Sequence, residues 1–137
     1  MNPRHPLLTT RDITRSFGQV RALAGVTLEI GAGETVAIMG PSGSGKSTLL
    51  HCLSGVLTPD DGEVSFDGAA LSRLGDRDRS RVRLSRFGFV FQDNQLIPEL
   101  SARENVALPL MLTGTPRGRA LREADGMLGR IGIPELA

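Results

Sequence analysis

Tryptophan and tyrosine are absent from the chain, and cysteine and lysine occur once each, at Cys52 and Lys46. A single cysteine excludes an intramolecular disulfide. The net charge is only +1, which excludes a strongly basic nucleic-acid binder and gives no sign of an acidic tail. No apolar run approaches the ~20 residues of a membrane span. Met1 to Leu8 carries Arg4 and His5 but no apolar stretch of signal-peptide length. These absences predict a soluble, cytoplasmic chain. Composition shows neither disorder nor a fibrous repeat. The 137 residues suffice for one domain, which would bury roughly two thirds of the surface its unfolded form exposes.

The scarcity of lysine is the sharpest of these signals. Of 16 basic residues, all but Lys46 are arginine. Chance in an arginine-biased chain is one reading. The other is that position 46 needs a compact ammonium on a flexible stem, which the planar guanidinium fork does not supply.

Along the chain, residues 7–14 and 20–23 have strand character, with Phe17-Gly18-Gln19 as the turn between them and Val26–Ile30 as a candidate third strand. After the turn Gly31-Ala32-Gly33-Glu34, the short apolar run Thr35–Met39 predicts a strand buried on both faces, as in a parallel sheet. A glycine loop follows, then a predicted helix over 46–54 with Leu49, Leu50 and Leu53 on one face and Gly55 just past its end. Thr58 to Gly62 is a turn cluster, Glu63–Phe66 a short strand, and Asp67-Gly68 another turn. Arg73 to Arg86 reads as a solvated helix. Phe87–Phe91 predicts a second compact strand, ending at Gln92, with a polar loop over 93–100. Ser101-Ala102-Arg103-Glu104 is a capping box for an apolar helix reaching Leu112 despite Pro109. Thr115-Pro116 predicts the N-cap and first residue of a last helix, with Leu121, Ala124, Leu128 and Ile131 at helical spacing and a stop near Gly132 and Pro134.

The loop Gly40-Pro41-Ser42-Gly43-Ser44-Gly45-Lys46-Ser47 matches the phosphate-binding pattern GxxxxGK[ST] at every fixed position. The letters alone are a moderate signal; a preceding strand and a following helix strengthen it. The chemistry explains the pattern. A triphosphate presents many acceptor oxygens and several negative charges. Glycines let the backbone aim several N–H groups at one oxygen cluster. A helix starting at Lys46 adds its unsatisfied N–H groups and the positive end of its dipole. Lys46 can reach the β- and γ-phosphates, the Ser47 hydroxyl can ligate Mg²⁺, and Thr48 can donate to the α-phosphate. A glycine-rich turn with no ligand is the bland alternative.

Many classes share this loop, and the rest of the chain resembles one of them, the nucleotide-binding subunit of ABC transporters, from about Leu7 to the last residue. The residues that carry the likeness are Phe17 in Arg15-Ser16-Phe17-Gly18, the loop and its continuation Thr48-Leu49-Leu50, Leu53-Ser54-Gly55, Pro59, Gly62-Glu63-Val64, Phe89-Val90-Phe91-Gln92, Leu96-Ile97-Pro98 and Glu104-Asn105-Val106. The stretch 102–110 is most similar to the lipoprotein-release and macrolide-export branch. The resemblance implies a P-loop NTPase of α/β class, here incomplete, with an N-terminal antiparallel β-subdomain and the start of a helical subdomain. It places the β-subdomain and P-loop core at 7–92, and the Q-loop and helical start at 93–137. It implies ATP and Mg²⁺ as ligands, Phe17 (tyrosine in most of the family) as the stacking platform for adenine, and Ser47 and Gln92 as Mg²⁺ ligands. Lys46 and Gln92 are the candidate catalytic residues; Gly40, Pro41, Ser42, Gly43, Ser44, Gly45, Ser47 and Thr48 complete the phosphate site. It implies a second ATPase subunit and transmembrane permease subunits as partners, no nucleic acid, and a place at the inner face of the membrane.

Some of the family's pattern is not in these residues. There is no Leu-Ser-Gly-Gly-Gln signature and no further apolar strand ending in Asp-Glu. Asp60, Asp61 and Asp67 fall in turns, His5 and His51 do not match the switch histidine, and His51 and Cys52 read as helix-packing residues. The expectation is an ABC ATPase recorded as a fragment, hydrolysis-deficient by itself. A short non-catalytic nucleotide-binding module or regulator, or a different P-loop enzyme such as a small kinase, are the alternatives; a kinase would use the arginines of 73–86 as a lid but would leave Gln92 unexplained.

Overall fold

The computed structural model describes residues 6–93 and 95–136; Arg4 and His5 lie outside them. The chain divides into two compact units, residues 1–83 and 84–137.

The first unit is built on the strands β1 (Leu8–Phe17), β2 (Val20–Ile30), β3 (Asp61–Phe66) and β4 (Ala69–Ala70), antiparallel in the order β2-β1-β3-β4. β1 and β2 form a hairpin closed through Gly18, pairing Phe17 with Val20 at the tip and Leu8 with Ile30 at the far end. The expected third strand over Val26–Ile30 is instead the continuation of β2. The chain passes Gly25 at φ 85°, opposite a register shift in β1. A side chain at Gly25 would come within 2.5 Å of the Asp12 carboxylate. The bulge thus bends the strand without ending it. Thr10 is buried and satisfied, donating to the Val26 carbonyl and accepting from the Leu28 N–H. Asp67 and Gly68, both at positive φ, close the β3–β4 hairpin as the sequence predicts.

Helix α1 (Lys46–Leu53) lies against β1 and β2. Leu49, Cys52 and Leu53 are buried, joining Ile13, Leu23, Val64 and Leu71 in the core. The expected face included Leu50, which is half exposed; Cys52 takes the inward place, since positions i, i+3 and i+4 share a helix face. Burial raises the Cys52 thiol pKa, against a smaller opposing pull from Arg15. Gly55, at φ 70°, ends the helix and donates to the Cys52 carbonyl. Helix α2 (Asp76–Arg86) buries none of its residues, the solvated helix the charge pattern predicts.

Two predicted strands are not strands. Thr35–Met39 and Phe87–Phe91 are irregular, with Met39 88% exposed and Val90 fully exposed. A strand buried on both faces takes its geometry from neighbours on both edges, and among the described residues no strand pairs with either run. Phe87, Phe89 and Phe91 nonetheless stack along one side, with centroids 6.5 and 5.5 Å apart, as alternate residues of an extended chain do.

The second unit is centred on α3 (Ala102–Leu112) and α4 (Arg117–Arg130), which pack together. Small residues make the contact: Ala107, Ala120 and Ala124 are buried, flanked by Val106, Leu110, Met111 and Leu121, and Leu128 is buried further along α4. The predicted capping box is present, with Ser101 and Glu104 bonding each other's backbone N–H. Glu104 also pairs with Arg117 at 2.7 Å, and Arg103 pairs with Asp125. Two expectations are corrected: Pro116, not Thr115, occupies the α4 N-cap position and makes no side-chain cap, and Ile131 is 64% exposed because it lies past the helix end.

Candidate functional site

The turn before the glycine loop is closed by Glu34, whose carboxylate accepts from the Gly31 N–H at 2.7 Å. After the irregular 35–39 segment the chain turns at Gly40–Gly45, with the Ser44 N–H on the Pro41 carbonyl. Gly45 is the N-cap of α1, at φ 87°. Its position admits no side chain: a Cβ there would lie 2.3 Å from the Ala22 carbonyl oxygen of β2. The loop's end is therefore seated directly on the sheet.

The start of α1 is open. No side chain caps it, and its first turn contains no acidic residue. The N–H groups of the first turn have no intrahelical acceptor, and the helix dipole makes this end favourable for an anion. Lys46 folds back over the loop, its Nζ donating to the carbonyls of Gly40 at 2.8 Å and Pro41 at 2.7 Å. Ser47 is exposed and Thr48 half-buried. Pro41, Ser42, Gly43 and Ser44 are all exposed. The arrangement can offer one ammonium, several N–H groups and two hydroxyls to a polyanion.

Phe17 stands at the end of β1, 49% exposed. Its strand partner Val20 lies two residues from Ala22, the residue on which Gly45 rests. The first unit thus gathers Phe17's hairpin and the glycine loop around β2. Gln92 belongs to the second unit and is exposed, one residue beyond Phe91.

Two residues beside Phe17 carry a contact that the sequence reading did not connect with it. The Arg15 guanidinium lies 5.2 Å from the Phe17 ring centroid and is bonded to Asp60 at 2.6 Å. The spacing of Arg15 and Phe17, two residues apart in a strand and so on one face, was a usable signal. Nothing local pointed to Asp60. Among the described residues no group of three or more His, Cys, Asp or Glu side chains is placed to hold a metal.

Comparison with known proteins gives the family of the chain. The family model of ABC transporters matches residues 23–137. The lipoprotein-releasing system ATP-binding protein LolD of Cereibacter sphaeroides is 46% identical over 116 residues, covering 85% of this chain and 52% of that protein. The macrolide export ATP-binding/permease protein MacB of Marinobacter nauticus is 44% identical, covering 98% of this chain and 21% of that protein. A dimeric ATP-binding cassette in a post-hydrolysis state bound to ADP and Pi superposes with a TM-score of 0.75 at 40% identity, covering 84% of this chain and 54% of that one. The cbiO1 protein of Clostridium perfringens, part of the transporter complex cbiONQ, gives 0.76 at 30% identity, covering 96% and 53%. The chain spans about half the length of the LolD relatives it matches. Glycine loop, sheet and helices together, it belongs to the ABC transporter family, as part of an ATP-binding cassette.

Proposed function

We propose that the chain binds ATP·Mg²⁺ as the nucleotide-binding part of an ABC transporter ATPase subunit, coupled to transport across a membrane. The observation that carries this is the seat of Gly45 on the Ala22 carbonyl together with Lys46 folded over Gly40 and Pro41. It supports a preformed phosphate cradle at an uncapped helix start.

In this reading the backbone of 40–45 and the first turn of α1 hold the phosphates, and the Lys46 ammonium exchanges loop carbonyls for phosphate oxygens. Thr48 donates to the α-phosphate, and Phe17 stacks on adenine. The residues present fit Mg²⁺: the ion prefers oxygen donors and keeps several waters beside one or two protein ligands and substrate phosphates. Ser47, in the first unit, would hold it; the family resemblance assigns Gln92 to it as well. When bound it neutralises part of the phosphate charge. Residues 7–92 serve as the nucleotide core, and 93–137 as the Q-loop and the start of the helical subdomain.

The partners in this reading are a second ATPase subunit and transmembrane permease subunits, with the chain peripheral at the inner membrane face. The relatives' descriptions support it, since one is a dimeric cassette, one a fused ATP-binding/permease protein and one a part of a transporter complex. Among the described residues no helix is long and apolar enough to cross a membrane.

Phosphoryl transfer to water needs carboxylates that hold Mg²⁺ and orient the water, and the 137 residues contain no apolar strand ending in Asp-Glu and no Leu-Ser-Gly-Gly-Gln run. These residues by themselves therefore bind ATP·Mg²⁺ without turning it over. Steady-state phosphate release at background level is expected; release above background that disappears in Lys46→Ala would overturn this.

A further inference from the structure

We propose that Arg15 and Asp60 form a positioning clamp for Phe17, holding one face of its ring so that the other is presented to the purine base. This rests on the reading of Phe17 as the base platform. Phenylalanine has no polar handle, so nothing on the ring itself fixes its orientation at a half-exposed site. Here a cation does so. The Arg15 guanidinium covers one ring face at 5.2 Å from the centroid, and the 49% of Phe17 left exposed is available to a ligand.

The guanidinium is in turn held from the loop that leads into β3. Its Nη1 donates to Asp60 Oδ1 at 2.6 Å and to the Thr58 carbonyl at 3.2 Å. The other Asp60 oxygen accepts the Ser16 N–H at 2.7 Å, and the Asp60 N–H donates to the Thr14 carbonyl at 2.8 Å. One aspartate thus grips β1 at positions 14, 15 and 16, the three residues before Phe17. The pair is partly exposed, and pairs of that kind contribute little to stability. A preoriented platform lowers the ordering cost of binding.

The measurement is the dissociation constant of the chain for ATP and for inorganic tripolyphosphate, each with Mg²⁺, in wild type, Phe17→Ala, Arg15→Gln, Asp60→Asn and the Phe17→Ala/Arg15→Gln double variant. The ratio of the two constants isolates the contribution of the nucleoside. Phe17→Ala is expected to lose most of the preference for ATP. Arg15→Gln and Asp60→Asn should each lose about two- to fivefold of it, the scale of an exposed cation–π contact, with tripolyphosphate binding unchanged. The double variant should be no worse than Phe17→Ala. An unchanged ratio in Arg15→Gln, an equal loss for both ligands, or an additive double variant would overturn the clamp while leaving the platform standing. An unchanged ratio in Phe17→Ala would instead remove the platform reading itself.

Discussion

The Cα of Gly45 faces the carbonyl oxygen of Ala22 so closely that an added Cβ would lie 2.3 Å from it. A loop residue is thereby fixed to a sheet strand at the point where α1 begins. Gly45 also carries φ 87°, where a side chain is strained regardless of space. Gly45→Ala must move the helix start or the strand, and backbone strain of this kind costs roughly 1–3 kcal/mol. The variant is expected to melt at lower temperature and to bind ATP more weakly, whereas Gly88→Ala, which has open space, no positive φ and no place in a helix or strand, should do neither. Parallel thermal melts and ATP titrations check this.

The capping box of α3 gives a second expectation. Ser101→Ala removes the acceptor for the Glu104 N–H, and loss of such a cap costs about 1 kcal/mol. Denaturant titration followed by helical circular dichroism reads it.

Glu104 makes the same end of α3 sensitive to pH. Hydrogen bonds from the Ser101 backbone and hydroxyl, then Arg117, hold its carboxyl below the ordinary 4.5. A carboxylate with a lowered folded-state pKa stabilises the fold fully above its unfolded value, and that contribution fades as pH falls through the lowered one. The stability gap between wild type and Glu104→Gln should therefore be constant above pH 4.5 and shrink below it. A gap that persists unchanged into stronger acid would contradict the assignment.

The α3–α4 contact rests on small residues, and the large side chain buried on α4 lies beyond it. Leu128 is 1% exposed. Leu128→Ala should cost about 2–5 kcal/mol, while Ile131→Ala, at a position 64% exposed, should cost little. The comparison of their unfolding midpoints tests where α4 packs.

What the sequence allowed one to read was mostly what is decided locally. The glycine loop, the Ser101–Glu104 box, the Asp67-Gly68 turn and the Gly55 stop each depend on a few adjacent residues, and each is present. Thr35–Met39 and Phe87–Phe91 failed because an apolar run has no strand geometry without a neighbour to pair with. β2 reads as two pieces in the sequence, 20–23 and Val26–Ile30, but Gly25 between them is a bulge answered by Asp12 on the facing strand. The Arg15–Asp60 bond spans 45 residues and was invisible for that reason. Of the proposed site, the residues of the loop and Phe17 were legible by motif, and the contacts that hold them in place were not.

The central claim is that Lys46 and its loop bind a triphosphate. Equilibrium binding of ATP·Mg²⁺ by the 137-residue chain and by its Lys46→Ala variant tests it most directly. A charge-assisted hydrogen bond is worth about 1.5–3 kcal/mol, so the variant is expected to bind about 10- to 100-fold more weakly. Equal affinity in the two proteins, or no saturable binding in the folded wild-type chain, would contradict it.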